Sequence, residues 1–336
     1  MRTDRPLYLF DIVFPESSRW IPGDQHIRKG FRQLLQPFRG RGPSGLAKVT
    51  LNLTLGLQKL GVDYHLINRV ETPPTNQIFG LLHGPKESCQ ILAKAGKCIV
   101  GPGILNSPKE WPDLFNNYPA IYNIQNCEWA AEMYRPLYGD KVKVWTMGID
   151  QERYAPRADD PKTFDFLIYD KIRWRDTPAY ANLLEVCQEE LKKAGCSSLY
   201  IRYGQYPGGK ESAYHDMLRQ CKVLLYLSEN ETQGFAYNEA LSMGVPILAW
   251  NYGKWCDPTR FKFGLDEAPA TSIPYWDERC GVDFRTPADF AEGLGLFLER
   301  LRSGQFSPRD YVLENLRLEQ GAQRYLDLIN AAEEEI

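Results

Sequence analysis

The stretch that decides the fold runs from 223 to 253, VLLYLSENETQGFAYNEALSMGVPILAWNYG. Val223–Leu227 is an apolar run too short for a helix, as expected of a strand buried in the centre of a parallel sheet. A polar loop, Ser228–Gln233, follows. Gly234 allows a sharp turn into a short helix, predicted over about Phe235–Met243. Gly244 suits the left-handed residue that ends a helix, and Pro246 forbids its continuation. Ile247–Trp250 then reads as a second buried strand.

Two carboxylates flank the entrance to that helix. Glu231 lies in the loop ahead of it, and Glu239 about one turn in, on the face that Phe235 begins. Between them the N–H groups of Gly234 and Phe235 have no partner inside the helix and are available to an anion. A ligand with hydroxyls at both ends and phosphate in the middle matches this layout, and a nucleoside diphosphate sugar is one. Alone, two Glu eight apart are common surface residues; the strand–loop–Gly–helix–Gly-x-Pro–strand frame is what makes the pattern specific.

Glu231 and Glu239, followed by Ala240-Leu241 and Gly244-Val245-Pro246, resemble the signature of the retaining glycosyltransferases of family four. That resemblance implies the GT-B fold, an α/β architecture of two Rossmann-like doubly wound parallel-sheet domains facing across a cleft. It puts Glu231 on the donor sugar, Glu239 on the ribose, and the amides of Gly234 and Phe235 on phosphate or sugar, with Gln233 beside them. Thr232-Gln233 replace the family's commonest Gly-Phe. It also implies a first domain over 1–147 on the acceptor side and a donor domain over 148–307. A C-terminal helix over 308–336 would pack back on the first domain.

Composition is consistent with two domains of ordinary size. The 336 residues are 43% hydrophobic and 25% charged, as in soluble globular proteins, and the net charge of −3 gives no support to nucleic-acid binding. No apolar run approaches a membrane span, and Leu7–Val13 lacks a signal-peptide cleavage pattern, so a cytoplasmic location is expected. The eight cysteines show no C-x-x-C pattern and read as reduced thiols.

Alternating short apolar runs and helical periodicities recur along both halves. Strands are expected at Leu7–Val13, Asp63–Asn68, Ile78–Leu82, Cys98–Val100 and Ile121–Ile124, with a helix over Leu46–Leu60. A hinge over Thr146–Pro161 separates these from strands at Phe164–Tyr169 and Leu199–Tyr203 and helices over about 179–194 and 212–220. Thr286-Pro287-Ala288-Asp289 and Ser307-Pro308-Arg309-Asp310 each read as a capped helix start.

A nucleoside diphosphate brings about two negative charges, and a helix end offers only about half a positive one. No Asp-x-Asp occurs in the chain, so side chains rather than a metal are expected to supply the balance. Lys171 and Arg173 follow the strand Phe164–Tyr169 at its carboxyl end, where open α/β sheets bind ligands. The family carries an Arg and a Lys there in the other order and further apart; two surface cations are the alternative reading. By the family mechanism the leaving diphosphate itself deprotonates the acceptor on the same face, with no cofactor and no covalent nucleophile. The resemblance covers hexose transfer to a glycan, lipid-linked or small-molecule hydroxyl.

Four further features bear on ligands. Gly40–Gly45 contains G-x-G-x-x-G, but the strand before it ends near Val13 and no acid closes the next strand, which argues against a dinucleotide site. It resembles the glycine loop of glycosyltransferases, with Gly42 and Gly45 letting backbone approach the donor phosphate or the acceptor; a plain turn is the other reading. The segment 28–41 is basic and amphipathic, suited to a phosphorylated acceptor or to peripheral contact with anionic lipid, or merely solvated. His83 follows a strand where relatives carry a sugar-contacting His, and Tyr203 and Tyr206 sit where a base pocket would form. A catalytically idle nucleotide-binding subunit and a nucleotide-sugar epimerase are the competing functions.

Overall fold

A computed structural model describes residues 5–12, 45–207, 212–265 and 267–335. It contains two parallel sheets. The first has six strands, β1 (Leu7–Asp11), β2 (Tyr64–Ile67), β3 (Phe79–His83), β4 (Cys98–Gly103), β5 (Ala120–Gln125) and β6 (Val142–Val144), in the order β2-β1-β3-β4-β5-β6. The second has five, β7 (Phe164–Asp170), β8 (Ser198–Arg202), β9 (Cys221–Leu227), β10 (Ile247–Trp250) and β11 (Gly281–Phe284), in the order β11-β10-β9-β7-β8. Each sheet starts at an inner strand, goes to one edge, returns past the start and continues to the other edge. That order creates a switch point between β1 and β3 and another between β7 and β9, where ligand crevices form at the strands' carboxyl ends.

The expected strands and helices are present, with ends shifted by at most four residues. The helix read over Leu46–Leu60 is α1 (Gly45–Lys59), and it buries Val49, Leu53 and Leu57 against the first sheet. The following helices are α2 (Lys86–Ala95), α3 (Leu114–Asn117) and α4 (Glu128–Tyr138). In the second domain come α5 (Leu183–Lys193), α6 (Ser212–Gln220), α7 (Phe235–Ser242) and α8 (Phe290–Arg302). The 179–194 helix starts later than expected because a separate 3-10 turn occupies Pro178–Tyr180. The strands β6 and β11 went unread: each is a short edge strand interrupted by a charged residue, Lys143 or Asp283.

The single terminal helix over 308–336 is corrected to two. α9 (Pro308–Asn315) stays with the second domain, burying Tyr311 and Val312 among Tyr237 and Leu241. The chain then straightens at Leu316–Arg317, and α10 (Leu318–Glu334) packs on the first domain through Ala322, Tyr325 and Ile329. The hinge segment runs alongside that crossing: the Ile149 N–H donates to Leu316 O at 2.7 Å, and Ile149 bridges Arg317 in parallel. The fit is tight, since a Cβ on Gly56 of α1 would meet Leu318 O at 2.3 Å, and one on Gly321 would meet Gly148 N at 2.2 Å.

A second set of contacts joins the domains beyond the cleft. Trp255, Ala268 and Ala270 form a small apolar cluster against Trp129 and Met133 of α4. All eight cysteines are free thiols, and burial pushes those of Cys89, Cys127, Cys221 and Cys280 up to about 12, so they carry no thiolate at neutral pH. No helix among the described residues is long and apolar enough to cross a membrane.

Candidate active site

The cavity between the domains, of about 630 Å³, is lined from one side by Gly45, Leu46, Lys48, Val49 and Asn126. From the other side come Lys171, Arg173, Tyr203 and Tyr206, and the run Glu231–Ala236 with Glu239. It lies over the β7/β9 switch point: Lys171 follows β7, Glu231 follows β9, and those strands are hydrogen-bonded neighbours. Of the residues singled out in the sequence, Glu231, Glu239, Lys171, Arg173, Gln233, Gly234, Phe235, Tyr203 and Gly45 all line this cavity. Gly42 and the 28–41 segment lie outside the described residues.

Backbone conformation explains the helix entrance. Gly234 takes φ 63°, and a Cβ there would stand 1.9 Å from the Tyr237 ring, so only glycine fits. Among the described residues neither the Gly234 nor the Phe235 N–H has a backbone acceptor. Asn238 Nδ2 ties the turn down by donating to the Gln233 and Gly234 carbonyls at 3.0 and 3.2 Å. The loop is held across the cleft by Trp129 Nε1, which donates to Glu231 O at 2.8 Å, and within its own domain by the Glu231 N–H, which donates to Thr271 O at 2.9 Å.

The two carboxylates are both buried, but they are dressed differently. Glu231 receives three donors on one oxygen, Oε1: the Lys171 ammonium, Tyr226 OH at 2.7 Å and Ser228 Oγ at 2.9 Å. Among the described residues nothing donates to its Oε2. Burial raises the Glu231 carboxyl, but the Lys171 charge, the hydrogen bonds from Lys171 and Tyr226, and the Arg173 charge outweigh it and hold the group below its ordinary value. The result is an anchored anion with one oxygen left for a ligand hydroxyl.

Glu239 has both oxygens engaged. Lys48 Nζ donates to Oε1 at 2.8 Å from the first domain, and His215 Nε2 lies 2.7 Å from Oε2. Burial again raises the carboxyl, and the His215 hydrogen bond with the Lys48 charge more than offsets it, so Glu239 also sits below the usual carboxylate range. The Tyr154 hydroxyl is pushed up by burial and by the Glu239 charge. Neither Lys48 nor His215 had been linked to this carboxylate in the sequence.

The cation-bearing loop after β7 is fastened from below. Buried Asp170 accepts from Arg175, from Tyr200 OH at 2.6 Å and from the Ile172 N–H at 3.1 Å. Glu229, close in sequence to Glu231, accepts the Arg173 and Trp174 N–H groups. Lys171 Nζ also stands 5.1 Å from the centre of the Tyr203 ring, an exposed aromatic face at the mouth of the cavity. Among the described residues two buried amide atoms of the cavity's lining residues, Gln233 Nε2 and Asn126 Oδ1, have no hydrogen-bond partner and are available to a polar ligand.

His83 is placed apart from these residues. It lies at the end of β3 outside the cavity's lining, with Nδ1 3.1 Å from Asp11 Oδ1 at the switch point of the first sheet. Burial of Asp11 is outweighed chiefly by the hydrogen bond with His83, which keeps its carboxyl low. Among the described residues no cluster of three His, Cys, Asp or Glu is placed to hold a metal ion.

No family model matches the chain, and no curated protein matches it in sequence. Solved structures do. AviGT4, a glycosyltransferase involved in avilamycin A biosynthesis, superposes with TM-score 0.52 at 15% identity over 97% of both chains. The lipopolysaccharide outer core galactosyltransferase WaaB gives 0.52 at 12%, over 97% of this chain and 99% of its own. The chain has the GT-B fold. TarM gives 0.53 at 14% identity over 85% of this chain, which spans 58% of TarM's own length. At these identities the likeness is one of architecture, and the chemistry is read from the cavity itself.

Proposed function

We infer that the protein is a glycosyltransferase that moves a sugar from a nucleoside diphosphate sugar to a hydroxyl acceptor. The observation that carries this reading is the pair Glu231 and Glu239 opening into one cavity on either side of the Gly234 and Phe235 amides, which have no backbone acceptor among the described residues. The amides and the cations Lys171 and Arg173 suit a diphosphate, and the open Oε2 of Glu231 suits a sugar hydroxyl. A structure of S. aureus TarM, similar at 14% identity, is a complex with UDP and α-GlcNAc-glycerol.

Retention of configuration, family-four membership and independence of metal belong to this proposal. In it Glu231 orients the donor sugar, while Lys171, Arg173 and the helix amides absorb charge that develops on the departing diphosphate. That oxygen then takes the acceptor proton as the new glycosidic bond forms, and the bond from the anomeric carbon to the diphosphate breaks. The acceptor, a saccharide, lipid-linked or small hydroxyl compound, enters from the first domain's side.

A binding subunit without turnover is the second reading, favoured by Glu239, both of whose oxygens already hold protein partners. One experiment separates the two. Thermal stabilisation by UDP, GDP, ADP and their sugars finds the donor, because a hundredfold excess over Kd adds about 2.7 kcal/mol. Release of nucleoside diphosphate from that donor, with a glycosylated product of retained configuration, supports transfer; binding without release supports the subunit, and no binding sinks both.

A further inference from the structure

Among the described residues Lys48 is the cation that the first domain contributes to the cavity's lining. It stands in the first turn of α1, a turn without acidic residues. Its ammonium crosses the cleft to Glu239 Oε1, with side chains only 12% and 3% exposed. The same nitrogen lies 5.8 Å from the centre of the Phe235 ring, and so beside the helix entrance, whose Gly234 and Phe235 amides have no backbone acceptor among the described residues.

The other cations of the cavity are differently placed. Lys171 is committed to Glu231 Oε1, and Arg173 is exposed, where water screens its charge. Glu239 does not depend on Lys48 alone for its charge, since His215 Nε2 lies 2.7 Å from its other oxygen. A buried ion pair is little favoured over alternatives that satisfy both members, because desolvation offsets much of its attraction. Ribose hydroxyls on one side and a diphosphate on the other are such an alternative.

We propose that Lys48 is a diphosphate ligand supplied by the first domain, and that its ion pair with Glu239 competes with the nucleotide for both groups. This rests on the donor-site reading above and deepens it. Binding a nucleoside diphosphate moves Lys48 from the carboxylate to the phosphate oxygens and releases Glu239 Oε1 to the ribose. The exchange draws α1 toward the bound donor, so the acceptor-side domain registers the phosphates directly. A nucleoside lacking phosphate must displace the same ion pair and gains nothing from Lys48 in return.

Calorimetry on the full chain with UDP, GDP and ADP, and with uridine, guanosine and adenosine, tests this. Lys48→Met is expected to weaken the preferred diphosphate about ten- to a hundredfold, the worth of one charge-assisted hydrogen bond. The matching nucleoside is expected to bind as well as before or severalfold more tightly. Lys48→Arg, which keeps the charge, restores the preference for the diphosphate. If Lys48→Met changes both ligands by the same factor, or neither, Lys48 is only a bridge and the inference is overturned while the donor site stands. If the wild-type chain binds none of the diphosphates, the donor-site reading itself falls and takes this inference with it.

Discussion

Glu229 holds Arg173 by its backbone: one carboxylate oxygen accepts the Arg173 N–H at 2.7 Å and the Trp174 N–H at 2.9 Å. The loop after β9 thereby fixes the loop after β7, and Lys171 and Arg173 are presented to the cavity on a fastened turn. Glu229→Ala leaves two N–H groups without their acceptor, at about 1–3 kcal/mol for each that stays buried. Turnover is expected to fall about tenfold or more, with nucleoside diphosphate affinity changed less and the melting temperature lowered. Unaltered kcat in this variant would show that the fastening is irrelevant to the reaction.

Glu231 and Glu239 are expected to separate kinetically. Glu231→Gln keeps an acceptor for Lys171 but loses the charge, and should depress kcat while nucleoside diphosphate affinity stays within about threefold. Glu239→Ala should weaken that affinity about ten- to a hundredfold, since hydrogen bonds to a charged group contribute ~1.5–3 kcal/mol. Steady-state kinetics paired with calorimetry reads both, and the reverse pattern would exchange the assigned roles.

Stability should fall in acid through these same groups. Both carboxyls are held below their ordinary value of 4.5 in the folded protein. The unfolded chain therefore takes up protons first as pH drops below about 4.5, and the stabilisation present at neutral pH is lost as pH falls toward the folded-state values. Melting temperature measured from pH 7 to pH 3 is expected to drop less steeply for the Glu231→Gln, Glu239→Gln double variant than for the wild type. Parallel curves would mean that other carboxylates carry the acid limb.

Gly234→Ala should be damaging beyond its size. The backbone sits at φ 63° and the new methyl would stand 1.9 Å from the Tyr237 ring. Backbone strain of this kind costs about 1–3 kcal/mol before the clash is counted. Denaturant titration should show a loss of at least that size, together with weakened nucleotide binding as the amides turn away.

Gly56→Val tests the docking of α10. Even a Cβ at Gly56 would meet Leu318 O at 2.3 Å and Ala322 Cβ at 2.8 Å. Backbone cannot yield cheaply there, so α10 should lift from α1. Faster amide exchange in 318–334 than in 308–315 is the expected result; uniform protection across both helices would contradict the separate docking of α9 and α10.

Local chemistry in the chain determined a good deal. The apolar run ending at Leu227, the polar loop, Gly234, and the Gly244-Val245-Pro246 stop specify strand, turn, helix and strand from φ/ψ preference and burial pattern alone. The same run set Glu231 and Glu239 on opposite sides of the helix entrance, because a loop and one helical turn leave little choice of spacing. Tertiary structure decided which oxygens remain available. Lys48 reaches Glu239 across 191 residues of chain and Lys171 reaches Glu231 across 60, and neither pairing follows from periodicity. The parting of α9 from α10 at Leu316–Arg317 was likewise set by two surfaces competing for one segment. Dihedral preferences act within a few residues, whereas ion pairs across a cleft depend on how two separately packed sheets come to face each other.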